Sequence, residues 1–160
     1  MCFRAHSNME IIDYDLKYQE ECQNCLLTAW RSVTNQPQYV TDYIQKHTQR
    51  NYLKTQLNRL ALLNNQKIVG LIYCKITNKE LYIKHLAVLP SYQGQGIATA
   101  LLNDVKNYAC EHHMSKMWLY VEEFNTQAIK FYEKYGFVNK GIREIVPNKE
   151  YSNLYEYSVK

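Results

Sequence analysis

Between Leu86 and Phe137 the sequence gathers residues whose types and spacing suit the grip of a phosphorylated ligand. An apolar run ending at Leu89 passes through Ser91-Tyr92-Gln93-Gly94-Gln95-Gly96-Ile97-Ala98 straight into a helical pattern. The first N–H groups of a helix have no intrahelical acceptor, and the helix dipole places a fractional positive charge at the same end. Phosphate oxygens fit there. Gly94 and Gly96 remove side chains where a ligand must approach the backbone, and Ala98 keeps the next turn small. A plain glycine-rich strand-to-helix turn looks the same, because short glycine motifs also recur by chance. Two other phosphate loops are excluded. A dinucleotide fingerprint wants a third glycine where Thr99 stands, and it follows the first strand of a parallel sheet rather than a long meander. Gly-Lys-Ser and Gly-Lys-Thr are absent, so nucleotide hydrolysis is not implied.

Other groupings carry less. Cys22-x-x-Cys25 has no second pair, and both cysteines fit the apolar stripe of a first helix, so no metal is expected there. Cys110-x-His112-His113 closes a helix, where cationic histidines suit the dipole. Lys and Arg do not interleave with aromatics on one face, and the net charge of +4 is spread along the chain, so nucleic acid is not an expected partner.

The elements that position the glycine loop follow from periodicity. Met9-Glu10-Ile11-Ile12 opens a first strand, after which Asp15 reads as a cap. Cys22, Cys25, Leu26, Ala29, Trp30 and Val33 recur at spacings of three and four, predicting a helix over 17–33. Pro37 starts a second, weaker helix to about Arg50, with Tyr39, Tyr43, Ile44 and His47 on one side. Apolar runs over 60–63, 68–76 and 81–89 form a three-strand meander through tight turns at Asn64-Asn65 and Thr77-Asn78-Lys79. A helix from Ile97 to about His113, a strand over 117–121, a helix over 126–135 ended by Gly136, and strands over 137–144 and 154–159 complete the chain. The last two are joined by a loop containing Pro147 and Asn148. The order predicts an α/β (α+β) fold: a single domain over 9–160 with a mixed, mostly antiparallel sheet and helices on both faces. Met1 to Asn8 reads as a flexible tail.

Composition agrees with this class. With 160 residues, 46% hydrophobic and 21% charged, the chain can bury a core, and no apolar run reaches the roughly 20 residues that cross a bilayer. Met1 to Asn8 shows no hydrophobic stretch of a secretory kind, and five scattered cysteines suit a reducing compartment. A cytoplasmic location is expected, with no membrane partner.

Gln93-x-x-Gly96-x-Ala98 resembles the Gln/Arg-x-x-Gly-x-Gly/Ala signature of the GCN5-related N-acetyltransferases, or GNAT family. Leu86-Ala87-Val88-x-Pro90 before it is similar to that family's central strand, and Asn125-x-x-Ala128-x-x-Phe131-Tyr132-x-x-x-Gly136-Phe137 after it resembles a further family block. Three patterns in the right order are far more specific than any one of them. The predicted element order from Met9 to Lys160 resembles the family's fold.

The resemblance implies transfer of an acetyl group from acetyl-CoA to a primary amine by direct attack in a ternary complex, without a metal. It assigns the backbone of Gln93, Gly94, Gln95, Gly96, Ile97, Ala98 and Thr99 to the cofactor's pyrophosphate. Leu86, Ala87 and Val88 fall to the pantetheine arm, on a strand edge splayed from the next strand, with the Val88 N–H polarising the thioester carbonyl. Asn125 resembles the residue that hydrogen-bonds the cofactor, although a plain helix cap would be the same residue. Tyr132 resembles the general acid. Many family members carry a Glu on the central strand where this chain has Lys84 and His85. His85 is the candidate base, with Glu122 and the adjacent Glu123 as rivals, and a water relay also open. The missing acid leaves an alternative: a catalytically silent acyl-CoA-binding or regulatory domain. Trp30, Tyr39 and Tyr43 are expected to line the acceptor site, for a small-molecule amine or a protein or peptide amine. Sheet edges near the C-terminus offer a route to a homodimer.

Overall fold

Asparagine sets both tight turns of the meander. Asn64 (φ 54°) and Asn65 (φ 57°) take the left-handed conformation, closed by the Gln66 N–H donating to the Leu63 carbonyl at 3.0 Å. Asn78 (φ 43°) and Lys79 (φ 65°) repeat the device one hairpin later. Asn tolerates this region better than most side chains, and paired positive φ values match the twist of the flanking strands.

The computed structural model describes residues 8–33, 42, 55–145 and 150–159. Its strands are β1 (Met9–Asp13), β2 (Leu57–Leu63), β3 (Lys67–Thr77), β4 (Glu80–Val88), β5 (Lys116–Glu122), β6 (Val138–Ile145) and β7 (Glu150–Ser158). Its helices are α1 (Gln19–Arg31), α2 (Ile97–Glu111) and α3 (Thr126–Tyr135), with 3-10 turns at Leu16–Tyr18 and Pro90–Tyr92. The sheet order is β1-β2-β3-β4-β5-β7-β6. β4 and β5 pair in parallel, whereas β1/β2, β2/β3, β5/β7 and β6/β7 pair antiparallel. This is the mixed, mostly antiparallel sheet that the sequence predicts.

The chain falls into two compact units, Met1–Lys75 with His85–Val105, and Ile76–Lys84 with Lys106–Lys160. In the first, α1 buries Cys22, Cys25, Leu26 and Ala29 against Leu60, Leu62, Leu71 and Tyr73 of β2 and β3. Burial of this apolar stripe, more than helix propensity, holds α1 in place. Asp15 does cap, its carboxylate accepting the Lys17 N–H at 3.0 Å, but it caps the 3-10 turn ahead of α1 rather than α1 itself. Arg59 on β2 bonds Asp13 on β1 and reaches Asp104 on α2 at 2.9 Å, tying helix to sheet.

In the second unit β5 is paired with β7 from Lys116↔Ser158 to Glu122↔Ser152. β7 therefore begins at Glu150, ahead of the expected Leu154, because strand pairing overrides the weak strand preference of Ser152 and Asn153. The 37–50 helix apart from Asp42, the loop at Pro147 and Asn148, and Met1–Ser7 of the expected tail lie outside the described residues.

Candidate active site

β4 alternates along its length. Leu81, Ile83, His85 and Ala87 point into the buried side of the strand, and Tyr82, Lys84 and Leu86 are half-buried. The strand end is held from two sides. The Leu89 N–H donates to the Val69 carbonyl of β3 at 2.9 Å, and the Cys25 thiol of α1 points at the Ala87 carbonyl at 4.0 Å. Burial pushes that thiol up to about 12, so it keeps its proton.

The loop then turns on its own backbone. The Tyr92 N–H donates to the Leu89 carbonyl at 2.8 Å, and the Gln93 N–H to the Pro90 carbonyl at 3.3 Å. The Gln93 side-chain amide reaches back to the Val88 carbonyl at 3.1 Å. Gly94 (φ 76°) and Gly96 (φ 83°) both take a conformation that a side chain disfavours. A Cβ built at Gly94 would meet no atom within 4 Å, so the loop surface is open at that point. The first helical bond of α2 runs from the Ala100 N–H to the Gly96 carbonyl at 3.0 Å. Ile97, Ala98 and Thr99 therefore present the start of a helix, with Ile97 buried beneath it and Gly96 and Thr99 exposed above. This open turn of backbone N–H groups fits a diphosphate.

His85 is 8% exposed, and its ring meets Tyr73 edge-on at 6.1 Å. Burial drives the Tyr73 phenol well above its usual range. Trp30, on α1, packs half-buried against the core. Tyr39 and Tyr43 lie outside the described residues.

In the second unit, the β4/β5 ladder runs from Glu80↔Lys116 to Tyr82↔Trp118. Glu122 closes β5 half-buried, Glu123 is exposed, and the chain then enters α3. Asn125 is the cap of that helix: its side-chain oxygen accepts the Ala128 N–H at 3.2 Å. Tyr132 is buried, its ring edge-on to Phe131 at 5.2 Å and to Phe137 at 5.4 Å. Gly136 (φ 120°) ends α3, the Phe137 N–H donating to the Tyr132 carbonyl at 2.9 Å. Phe137 is core, whereas Phe131 and Ala128 are half-buried.

Two features of the sheet escape a reading of the sequence. Ala61↔Gly70 is followed by Leu62↔Ile68, so Val69 is the extra residue of a bulge on β3. Beside it, a Cβ at Gly70 would lie 3.1 Å from the Ala87 carbonyl oxygen, from Ile97 Cγ2 and from Leu101 Cδ1. The only local signal is a glycine inside a strand pattern. Among the described residues no group of three or more His, Cys, Asp or Glu is arranged to hold a metal ion, and no helix is long and apolar enough to cross a membrane.

A glycine-opened turn thus joins a central strand to a helix on a mixed sheet. The chain belongs to the acetyltransferase (GNAT) family, whose profile matches residues 20–137. It is 29% identical over 138 residues to the ribosomal protein bS18-alanine N-acetyltransferase of Haemophilus influenzae, covering 86% of this chain and 84% of that protein. It is 38% identical over 88 residues to the N-alpha-acetyltransferase 50 of Danio rerio, covering 51% of each. The fold is that of the PaiA N-acetyltransferase from Thermoplasma acidophilum, a structure in complex with coenzyme A. That match has a TM-score of 0.75 at 17% identity and covers 93% of this chain and 99% of that one. The transferase class, the fold and the family's acetyl-CoA cosubstrate are those that the motifs imply.

Proposed function

We propose that this chain is an acetyl-CoA-dependent N-acetyltransferase whose acceptor is the α-amine of a protein or peptide N-terminus. The observation that carries the donor half is the open turn from Gln93 to Thr99, tied to the end of β4 and closed by no side chain at Gly94 or Gly96. The acceptor half is supported by relatives named for an alanine of a ribosomal protein and for an N-α-amine.

Acetyl-CoA would supply an acyl carbon that a neutral amine attacks, the C–N bond forming as the C–S bond breaks and the CoA thiolate departs. In this reading the N–H groups of Gly94 to Thr99 hold the diphosphate. The edge of β4 at Leu86, Ala87 and Val88 pairs with the pantetheine amides in the manner of an added strand. That edge is supported by the register: β4 runs on to Val88, beyond the Tyr82↔Trp118 pair of its ladder with β5. The Val88 N–H polarises the acyl oxygen, and Asn125 bonds the cofactor from the start of α3. Tyr132 gives its phenolic proton to the departing sulfur.

The proton of the attacking amine goes to Glu122 or His85. Exposure favours Glu122, because an amine arriving from water reaches a half-exposed carboxylate before an imidazole on the buried side of β4. Trp30 borders the acceptor path in the same proposal. A cytoplasmic location suits the free Cys22, Cys25, Cys74 and Cys110.

The test is CoA release over a panel of amines: peptides with free N-termini, the same peptides blocked at the N-terminus but bearing lysine, polyamines and an aminoglycoside. Release confined to free N-termini is expected. Turnover of the aminoglycoside or polyamine alone overturns the acceptor. Acetyl-CoA binding without release on any amine leaves the silent domain, for which the absence of a Glu beside Leu86 is the supporting feature.

A further inference from the structure

The seat beneath the glycine loop is built by a residue with no side chain. Gly70 of β3 faces the Ala87 carbonyl, Ile97 Cγ2 and Leu101 Cδ1, each 3.1 Å from where its Cβ would stand. That separation is shorter than ordinary carbon contact by a few tenths of an ångström. None of the three neighbours can give way cheaply. Ala87 contributes backbone in the middle of a sheet, and Ile97 and Leu101 are 1% and 0% exposed on the inner face of α2. The neighbouring bulge residue, Val69, holds the Leu89 N–H at 2.9 Å, fixing where β4 ends and the loop begins. Bulges of this kind re-aim the chain beside binding sites.

We infer that Gly70 is a positioning residue for the diphosphate site: the close approach it allows sets how deeply the first turn of α2 lies on the sheet, and so where its N–H groups point. This rests on the proposed binding of acetyl-CoA at that turn. Gly70 touches no part of the cofactor. It acts through Ile97 and Leu101, the first two apolar anchors of the helix, whose displacement carries the N–H groups of Ile97 to Thr99 with them. Hydrogen bonds weaken as their donors move off line, and several donors of the cradle move together.

The experiment compares two ligands on Gly70→Ala. Coenzyme A carries the diphosphate, and pantetheine carries the arm that runs along β4 without it. Affinities are read by calorimetry for the first and by chemical-shift titration for the second. The expected result is a loss of about tenfold in coenzyme A affinity, the scale on which sub-ångström misplacement acts, with pantetheine affinity unchanged. Equal losses for both ligands, or an unchanged coenzyme A affinity, overturn the inference. Should Gly70→Ala not fold, Gly70→Ala/Leu101→Ala against Leu101→Ala carries the same comparison, because the added methyl then enters vacated volume but still presses Ala87 and Ile97. A selective loss supports the inference there and matched affinities overturn it. Failure of the unsubstituted protein to bind coenzyme A is a separate result and sinks the proposed function.

Discussion

Gln93 closes the turn that it begins: its side-chain amide donates to the Val88 carbonyl, 3.1 Å away, from the far side of the Pro90–Tyr92 turn. A glutamine here ties the loop to the strand end through its side chain.

Replacement of Gln93 therefore separates two effects. Gln93→Ala loses one half-buried hydrogen bond, an expected stability cost of about 1 kcal/mol, with a several-fold weaker affinity for acetyl-CoA. Gln93→Glu is expected to be worse for the ligand than alanine. A carboxylate cannot donate to the Val88 carbonyl, and it sets a negative charge beside a dianionic diphosphate. Calorimetric titration of both variants ranks them; a glutamate variant that binds as tightly as the unsubstituted protein would remove Gln93 from the site.

Asn125 can be divided in the same way. Its oxygen caps α3 through the Ala128 N–H at 3.2 Å, whereas its amide nitrogen is the group proposed for the cofactor. Asn125→Asp keeps an acceptor for the cap, and a negative charge there suits the helix N-terminus, so the melting temperature holds or rises. The same variant loses the amide donor, and acetyl-CoA affinity is expected to fall. Asn125→Ala loses both, with about 1 kcal/mol of stability. If Asn125→Asp leaves affinity untouched, Asn125 is a cap and nothing more.

Some of this architecture was legible in the chain because it is locally determined. The left-handed Asn64, Asn65 and Asn78 announce their turns, and Asn125 and Gly136 bracket α3 at the expected Thr126–Tyr135. The glycine loop declares itself because Gly94 and Gly96 are needed for their own φ values. What could not be read depends on partners distant in sequence. Alternation puts His85 opposite Lys84 and Leu86, but that its side is the buried one, against Tyr73, depends on packing from distant strands. The bulge at Val69 and the close approach at Gly70 need β2, β4 and α2 together, and a lone strand glycine signals that something is unusual without naming those partners.

The thiols of α1 predict an alkaline weakness. Burial pushes Cys22 up to about 11 and Cys25 up to about 12, whereas a thiol in the unfolded chain ionises near pH 8.5. The folded state thus holds more protons than the unfolded state from about pH 8.5 upward, and stability falls as pH rises. The contribution is complete below the unfolded value and is lost through the folded ones. Between about pH 9 and 10 each thiol adds a slope of up to about 1.4 kcal/mol per pH unit. Denaturant midpoints across that range are expected to fall. Cys22→Ala/Cys25→Ala is less stable at neutral pH but flatter in this window, and an unchanged slope would contradict the assignment. Exposed Cys110 gives a control: iodoacetamide labels it in the native protein, while Cys22, Cys25 and Cys74 react only on unfolding.

Tyr132→Phe isolates the phenol from the ring. The ring is buried edge-on between Phe131 and Phe137, contacts that a phenylalanine repeats, so the melting temperature is expected to move little. The carbonyl that receives the Gly136 and Phe137 N–H groups is backbone and also survives. What is lost is the proton available to the departing sulfur, and turnover is expected to fall about a hundredfold, with affinity for acetyl-CoA retained. A tyrosine gives its proton to a thiolate of lower basicity only when geometry compels it, so the effect belongs in kcat and not in KM. The loss should also shrink when the leaving group is a more acidic thiol, which needs less help to depart. Turnover unaffected by Tyr132→Phe would mean that sulfur departs as a free thiolate or takes its proton from water, and the general acid would then have to be sought elsewhere in the chain.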